Sequence, residues 1–171
     1  MISISNNNTV NNKAAGFTLI ELVVVIIILA VIAIIAAPRF INLTTDAKKA
    51  ALDGINASIK TANSLVYAKS QIPSTQVQPV SGRDDIIDID LDGDGIFETR
   101  LKWGYLDNTD LDKWADIDDS FTTQFQGIAN TYVGYDLDGD NQVTDDNCYF
   151  HYVQAANSST GPQYNIVDSN C

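Results

Sequence analysis

The chain is poor in cysteine, histidine and positive charge. Its 171 residues hold two Cys, one His and ten Lys or Arg against 22 Asp or Glu, a formal net charge of −12. Without a basic patch, nucleic acid is excluded as a partner. The one histidine, His151, stands in a strand-like run between Tyr149 and Tyr152. No nucleophile, base and orienting group fall together in the pattern, so no catalytic constellation is expected. Paired carboxylates can cleave glycosides. Here they alternate in DxDxDG order, an order that commits them to a cation. Two cysteines permit one disulfide at most, and the length suits one domain plus a long helix.

What the chain does have is a long apolar run, "GFTLIELVVVIIILAVIAIIAAP", from Gly16 to Pro38. From Phe17 to Ala37, 21 residues carry a single charge, Glu21. About 20 apolar residues span a bilayer as a helix, which satisfies its own backbone groups. A carboxylate inside such a run costs about 2.5–3.5 kcal/mol near the bilayer centre and less near its edge. Glu21 therefore either lies at the headgroups or has a partner. A secretory signal would need a shorter core and a small-residue exit; this core is long, acidic near its start, and lacks that exit before Pro38.

The segment "GFTLIEL" resembles the processing and methylation signature of type IV prepilins and their pseudopilin relatives. The run on to "RFINL", then "DAKKAALDGINASIKTANSLVYAKSQI", resembles the major pilin of the mannose-sensitive haemagglutinin (MSHA) pilus. The resemblance implies an α+β fold in which a long kinked N-terminal helix packs on an antiparallel sheet of about four strands. It implies cleavage by prepilin peptidase between Gly16 and Phe17, N-methylation of Phe17, and pairing of Glu21 with the Phe17 amine of a neighbouring subunit. It implies a single-pass inner-membrane protein that the pilus assembly machinery builds into a helical homopolymer of identical subunits, an extracellular filament for adhesion. A type II secretion pseudopilin or a minor pilin is the alternative. The ion pair fits elementary electrostatics, because docking a buried carboxylate on a buried ammonium removes two penalties and fixes register.

Four segments follow: a cleaved leader at 1–16, an apolar helix at 17–37, an amphipathic continuation at 38–72 and a β-rich head at 73–171. Pro38 lacks an amide donor and crowds the carbonyl of Ile34, so a kink is expected there. Leu52, Ile55, Ile59, Ala62 and Val66 recur at three and four, one stripe of a helix. Ile72-Pro73 and Pro79 end it, and 71–82 reads as a polar connection.

From Asp84 to Asp146 the chain carries 18 acids against Arg100, Lys102 and Lys113, about −15 formally. Two loops hold alternating carboxylates. In "DLDGDGIFE" the candidate ligands are Asp90, Asp92, Asp94, the carbonyl of Ile96, and Glu98. This is the start of an EF-hand-type loop without the usual glutamate at its twelfth position, which is Leu101. In "DLDGDNQVTDD" they are Asp136, Asp138, Asp140, the carbonyl of Gln142, and Asp145 or Asp146. Asn141 replaces the glycine, as Asn tolerates positive φ. Oxygen ligands without His or Cys favour Ca²⁺ over Zn²⁺ or copper; a solvated acidic turn is the alternative. No other cofactor is required.

Phe97, Thr99, Leu101 and Trp103 alternate with polar residues, as a strand does. Trp103, Tyr105, Trp114 and Phe121 are expected in the core rather than on a saccharide-binding face. "CYFHYVQ" and "QYNIVD" read as two strands joined at Ser158–Pro162. Cys148 and Cys171 lie beyond the span, where an even count reads as a disulfide; the pilin resemblance implies the same bridge.

Overall fold

The computed structural model describes residues 16–171, so the expected leader lies, but for Gly16, outside the described residues. The elements in order are α1 (Leu19–Ser70), β1 (Val77–Val80), β2 (Arg83–Ile89), β3 (Thr99–Lys102), β4 (Tyr105–Leu106), a 3₁₀ turn (Leu111–Lys113), β5 (Thr122–Gln126), β6 (Asn130–Gly134), β7 (Tyr149–Val153) and β8 (Gln163–Val167). They divide into two compact units, one ending at Asn42 and one spanning Leu43–Cys171.

In the first unit the chain is helical from Leu19 onward. Every side chain from Leu19 to Ile35 is exposed. Leu19–Ala37, with a mean hydropathy of 3.4, is long and apolar enough to cross a membrane. Helical backbone continues through Pro38. The bend expected there falls where the side chains of Pro38 and of residues 40–42 lie outside the described residues.

The second unit has its core along the stripe read from the sequence. Leu52, Ile59 and Val66 are fully buried, with Ile55 and Ala62 nearly so. Lysines off the stripe brace the helix from its flanks. Lys49 Nζ lies 3.1 Å from Asp168, Lys60 sits over the Tyr164 ring, and Lys69 Nζ donates to the Leu91 carbonyl at 3.2 Å.

The expected antiparallel sheet is present, but as two four-stranded meanders, β1-β2-β3-β4 and β5-β6-β7-β8. Two features produce the extra strands. β1 falls inside the stretch read as a connection; its Pro79 is tolerated because β1 is an edge strand. The hairpin β5–β6 turns at Gly127, whose φ is 65°, and pairs Gln126 with Asn130 across the turn. The inner face of the second sheet supplies Thr131, Val133, Phe150 and Tyr152, all buried.

A buried polar clip ties the helix to both sheets. Asn63 Oδ1 accepts the Leu106 amide of β4 at 2.8 Å. The Leu106 carbonyl accepts the Tyr152 hydroxyl of β7 at 2.7 Å. Both groups would be costly to bury unpaired. Burial raises the Tyr152 pKa far above the usual phenol range, against the lowering effect of the Asn63 hydrogen bond. Tyr152 thus stays a neutral donor.

Gly134 ends β6 where it meets Tyr149. A Cβ there would collide with the Cys148 carbonyl and come within 2.6 Å of the Tyr149 Cβ. Both obstacles are close to backbone and cannot swing aside. Gly134→Ala is therefore expected to destabilise the fold by about 1–3 kcal/mol, as overpacking does. A chemical denaturation curve checks it, and an unchanged midpoint would contradict it.

Candidate functional site

The two acidic loops share one hydrogen-bond scheme. In the first, Asp90 Oδ1 accepts the Gly93 amide at 2.7 Å and its Oδ2 accepts that of Gly95 at 2.8 Å. Asp92 accepts from Asp94, and Asp94 from Ile96. In the second, Asp136 accepts the amides of Gly139 and Asn141 at 2.7 and 2.9 Å. Asp138 accepts from Asp140, and Asp140 from Gln142. Gly93 and Gly95 have φ of 86° and 89°; Gly139 and Asn141 have 85° and 65°. Asn141 thus takes the left-handed place of the glycine, as its residue type allows.

In each loop the three aspartates, Asp90, Asp92 and Asp94 or Asp136, Asp138 and Asp140, bring one carboxylate oxygen apiece within 4.8 Å of one another. Each triad can hold a metal ion. A further acid folds back on each loop's second amide. Glu98 Oε1 accepts the Leu91 amide at 2.9 Å. Asp146 Oδ2 accepts the Leu137 amide at 2.8 Å. Asp145 stays exposed, its carbonyl accepting the Asn147 side chain. Of the two acids weighed for closing the second loop, Asp146 is the one drawn in. Glu98 Oε2 is buried without a hydrogen-bond partner.

The electrostatics follow from these bonds. Burial pushes Asp90 up, but the amides of Gly93, Gly95, Asp94 and Asp92 together hold it below the ordinary carboxylate range. The Asn141 amide, aided by three others, does the same for Asp136. For Asp138 the Asp140 amide acts downward, but burial and the charges of Asp140, Asp146 and Asp145 outweigh it and raise the pKa. Both loops are therefore anionic, and the second is crowded with like charge. A cation would relieve this crowding.

The apolar segment has its own local device. Thr18 precedes the helix and Glu21 occupies its third position. Glu21 Oε2 accepts the Thr18 amide and the Thr18 hydroxyl, both at 2.9 Å. The Glu21 amide donates to Thr18 Oγ1 at 3.3 Å. This is a reciprocal capping box, T-x-x-E, which satisfies two orphan donors of the helix start. Gly16 and Phe17 lie just before it in non-helical backbone, and Phe17 is 86% exposed.

Residues 11–37 match the family model described as the prokaryotic N-terminal methylation motif. The match covers the apolar amino-terminal segment, with Gly16, Phe17 and Glu21 inside it. The chain is also 39% identical, over 59 residues, to the type IV narrow pilus major component PilA5 of Thermus thermophilus. That alignment covers 34% of this chain and 51% of the relative, so the chain spans about half the length of the curated relative it matches. No solved structure matches the chain.

The surroundings of His151 are those of a packed structural residue. Its ring stacks on Tyr132 with centroids 4.2 Å apart, its Nε2 lies 2.9 Å from Asn130 Oδ1, and burial lowers its pKa. The C-terminal disulfide joins Cys148 to Cys171. It closes a separation of 23 residues, a constraint worth about 3 kcal/mol in the chain-entropy account. The expected aromatics Trp114 and Phe121 pack against the core, while Tyr105 stacks on Tyr67 of the helix at 4.7 Å. Sequence reading missed the capping box, although Thr18 and Glu21 stand at the spacing that signals one. It also missed the Asn63 clip, because a polar residue inside an apolar stripe gives no sign of its partner.

Proposed function

We propose that this protein is the structural subunit of a type IV pilus of the MSHA-like kind. Prepilin peptidase cuts it between Gly16 and Phe17, and Phe17 is N-methylated. The protein waits in the inner membrane, then polymerises with identical copies into an extracellular adhesive filament. The observation that carries this reading is the exposed apolar helix of the first unit. Among the described residues nothing covers it, and its single acid stands five places beyond the expected cleavage site. Lipid and then sister helices supply the missing cover. Mass spectrometry of the mature amino terminus tests the reading. The expected result is a polypeptide beginning at N-methylated Phe17; any other start overturns it.

The two triads, with Ile96 and Gln142 carbonyls and Glu98 or Asp146, are proposed calcium sites. The orphaned Glu98 Oε2 supports the first. The loops also favour a second reading, a pseudopilin of a type II secretion apparatus, in which the same segment drives cargo movement rather than attachment. The operon around the gene separates the two: pilus biogenesis genes support the first reading and secretion genes the second.

A further inference from the structure

After Gly82 the chain has only four bases, and three of them line one groove. Arg83, Arg100 and Lys102 of the first sheet face Phe125, Ile128 and Gln154 of the second across a cavity of about 350 Å³ that Asp107 also lines. Lys102 is mostly buried, its Nζ 3.9 Å from Asp85, so the two arginines are the bases open to a partner. Arg83 uses Nε and Nη2 on Asp85, and Arg100 uses the same pair on Asp88. Each guanidinium keeps its Nη1 donors for another acceptor, and about half of each side chain is exposed. The apolar wall is open as well, with Phe125 55% and Ile128 83% exposed. A bulky apolar side chain at such exposure, beside bases with free donors, suits a partner that is acidic with an apolar tip.

The molecule carries such a partner on itself. The Asp136–Asp146 loop holds five acids and an exposed leucine, Leu137 at 45%. It cannot reach the groove of its own head. Gly127 and Ile128 lie at the β5–β6 turn, one end of the second sheet, whereas the loop joins β6 to β7 at the other. The five residues of β6 separate the two ends by about 17 Å at the rise of a strand. Complementary surfaces at opposite ends of one body make a head-to-tail contact, which does not close on itself and propagates as a filament.

We propose that the Asp136–Asp146 loop of one head seats in the groove of a second copy, Leu137 against Ile128 and Phe125, its acids toward Arg83 and Arg100. The inference rests on the filament reading above. It adds a contact between heads to the one between apolar helices. A calcium ion would remove two of the loop's five negative charges and leave it acidic, so the contact tolerates the metal.

Cysteine cross-linking in sheared filaments tests it. Full-length chains carrying Ile128→Cys and Leu137→Cys together are expected to give a ladder of dimers, trimers and longer multimers on mild oxidation, removed by reductant. Each single variant is expected to give no ladder, which controls for exchange with Cys148 and Cys171. Both positions are exposed, so neither change disturbs the core. Filaments without a ladder from the double variant would overturn the contact and leave the pilus reading standing. No filaments from the unsubstituted chain in its own assembly system would overturn both.

Discussion

Cells producing Glu21→Ala in place of the native chain are expected to carry no filaments, although the precursor is made and processed. Two roles of this carboxylate must be separated to read that result. In the isolated subunit it closes the capping box with Thr18, and losing a cap costs about 0.5–2 kcal/mol. In the filament it is proposed to meet the methylated Phe17 amine of a neighbour, where an unpaired buried charge costs about 3–5 kcal/mol. Glu21→Gln distinguishes these, because glutamine serves in a capping box but carries no charge. If the ion pair governs assembly, Glu21→Gln is as bare of filaments as Glu21→Ala. Thr18→Val, which removes the hydroxyl and leaves the charge, then assembles with at most a modest loss. Electron microscopy of sheared preparations, with immunoblots for total and processed protein, gives the measurement. Normal piliation of Glu21→Gln would reduce Glu21 to a helix cap and end the pairing idea.

The parts of this molecule legible in its sequence are those set by period and by local backbone chemistry. The stripe from Leu52 to Val66 is buried as its spacing requires, since a helix placed on a core has one face to hide. The Asp-rich loops fold alike because the residues at the fourth and sixth positions of each can adopt positive φ. Asn141 shows that conformational freedom rather than glycine itself was the signal. What escaped was non-local. Nothing near Asn63 in the chain indicates that it will meet Leu106 and Tyr152, 43 and 89 residues on. The division of the sheet into two also escaped, because a short edge strand with a proline resembles a loop until its neighbour is known. Likewise, of the adjacent acids Asp145 and Asp146, only the return path of the chain decides which one faces the loop.

Calcium is expected to raise the melting temperature of the detergent-solubilised chain, and Glu98→Gln is expected to remove the larger part of that gain. A ligand present at a hundred times its Kd stabilises the folded state by about 2.7 kcal/mol, which in a domain of this size is about 10 °C. The first loop should account for most of it. Its Asp90 is 4% exposed, whereas Asp136 is only half-buried, and Glu98 offers a buried oxygen with no donor. Glutamine at position 98 keeps an acceptor for the Leu91 amide, so the metal-free fold is preserved. It also puts an amide N–H₂ where a cation needs an oxygen. Melting followed by near-ultraviolet dichroism of Trp103 and Trp114, in calcium and in excess EGTA, reads the difference. The variant's EGTA curve should overlay the parent's while its calcium curve falls back toward it. Asp138→Asn, in the more exposed loop, should reduce the shift only slightly. A parent protein that melts at one temperature in both buffers would leave the carboxylates as a solvated acidic turn. The excess of 18 acids over three bases between Asp84 and Asp146 would then be balanced only by mobile counterions.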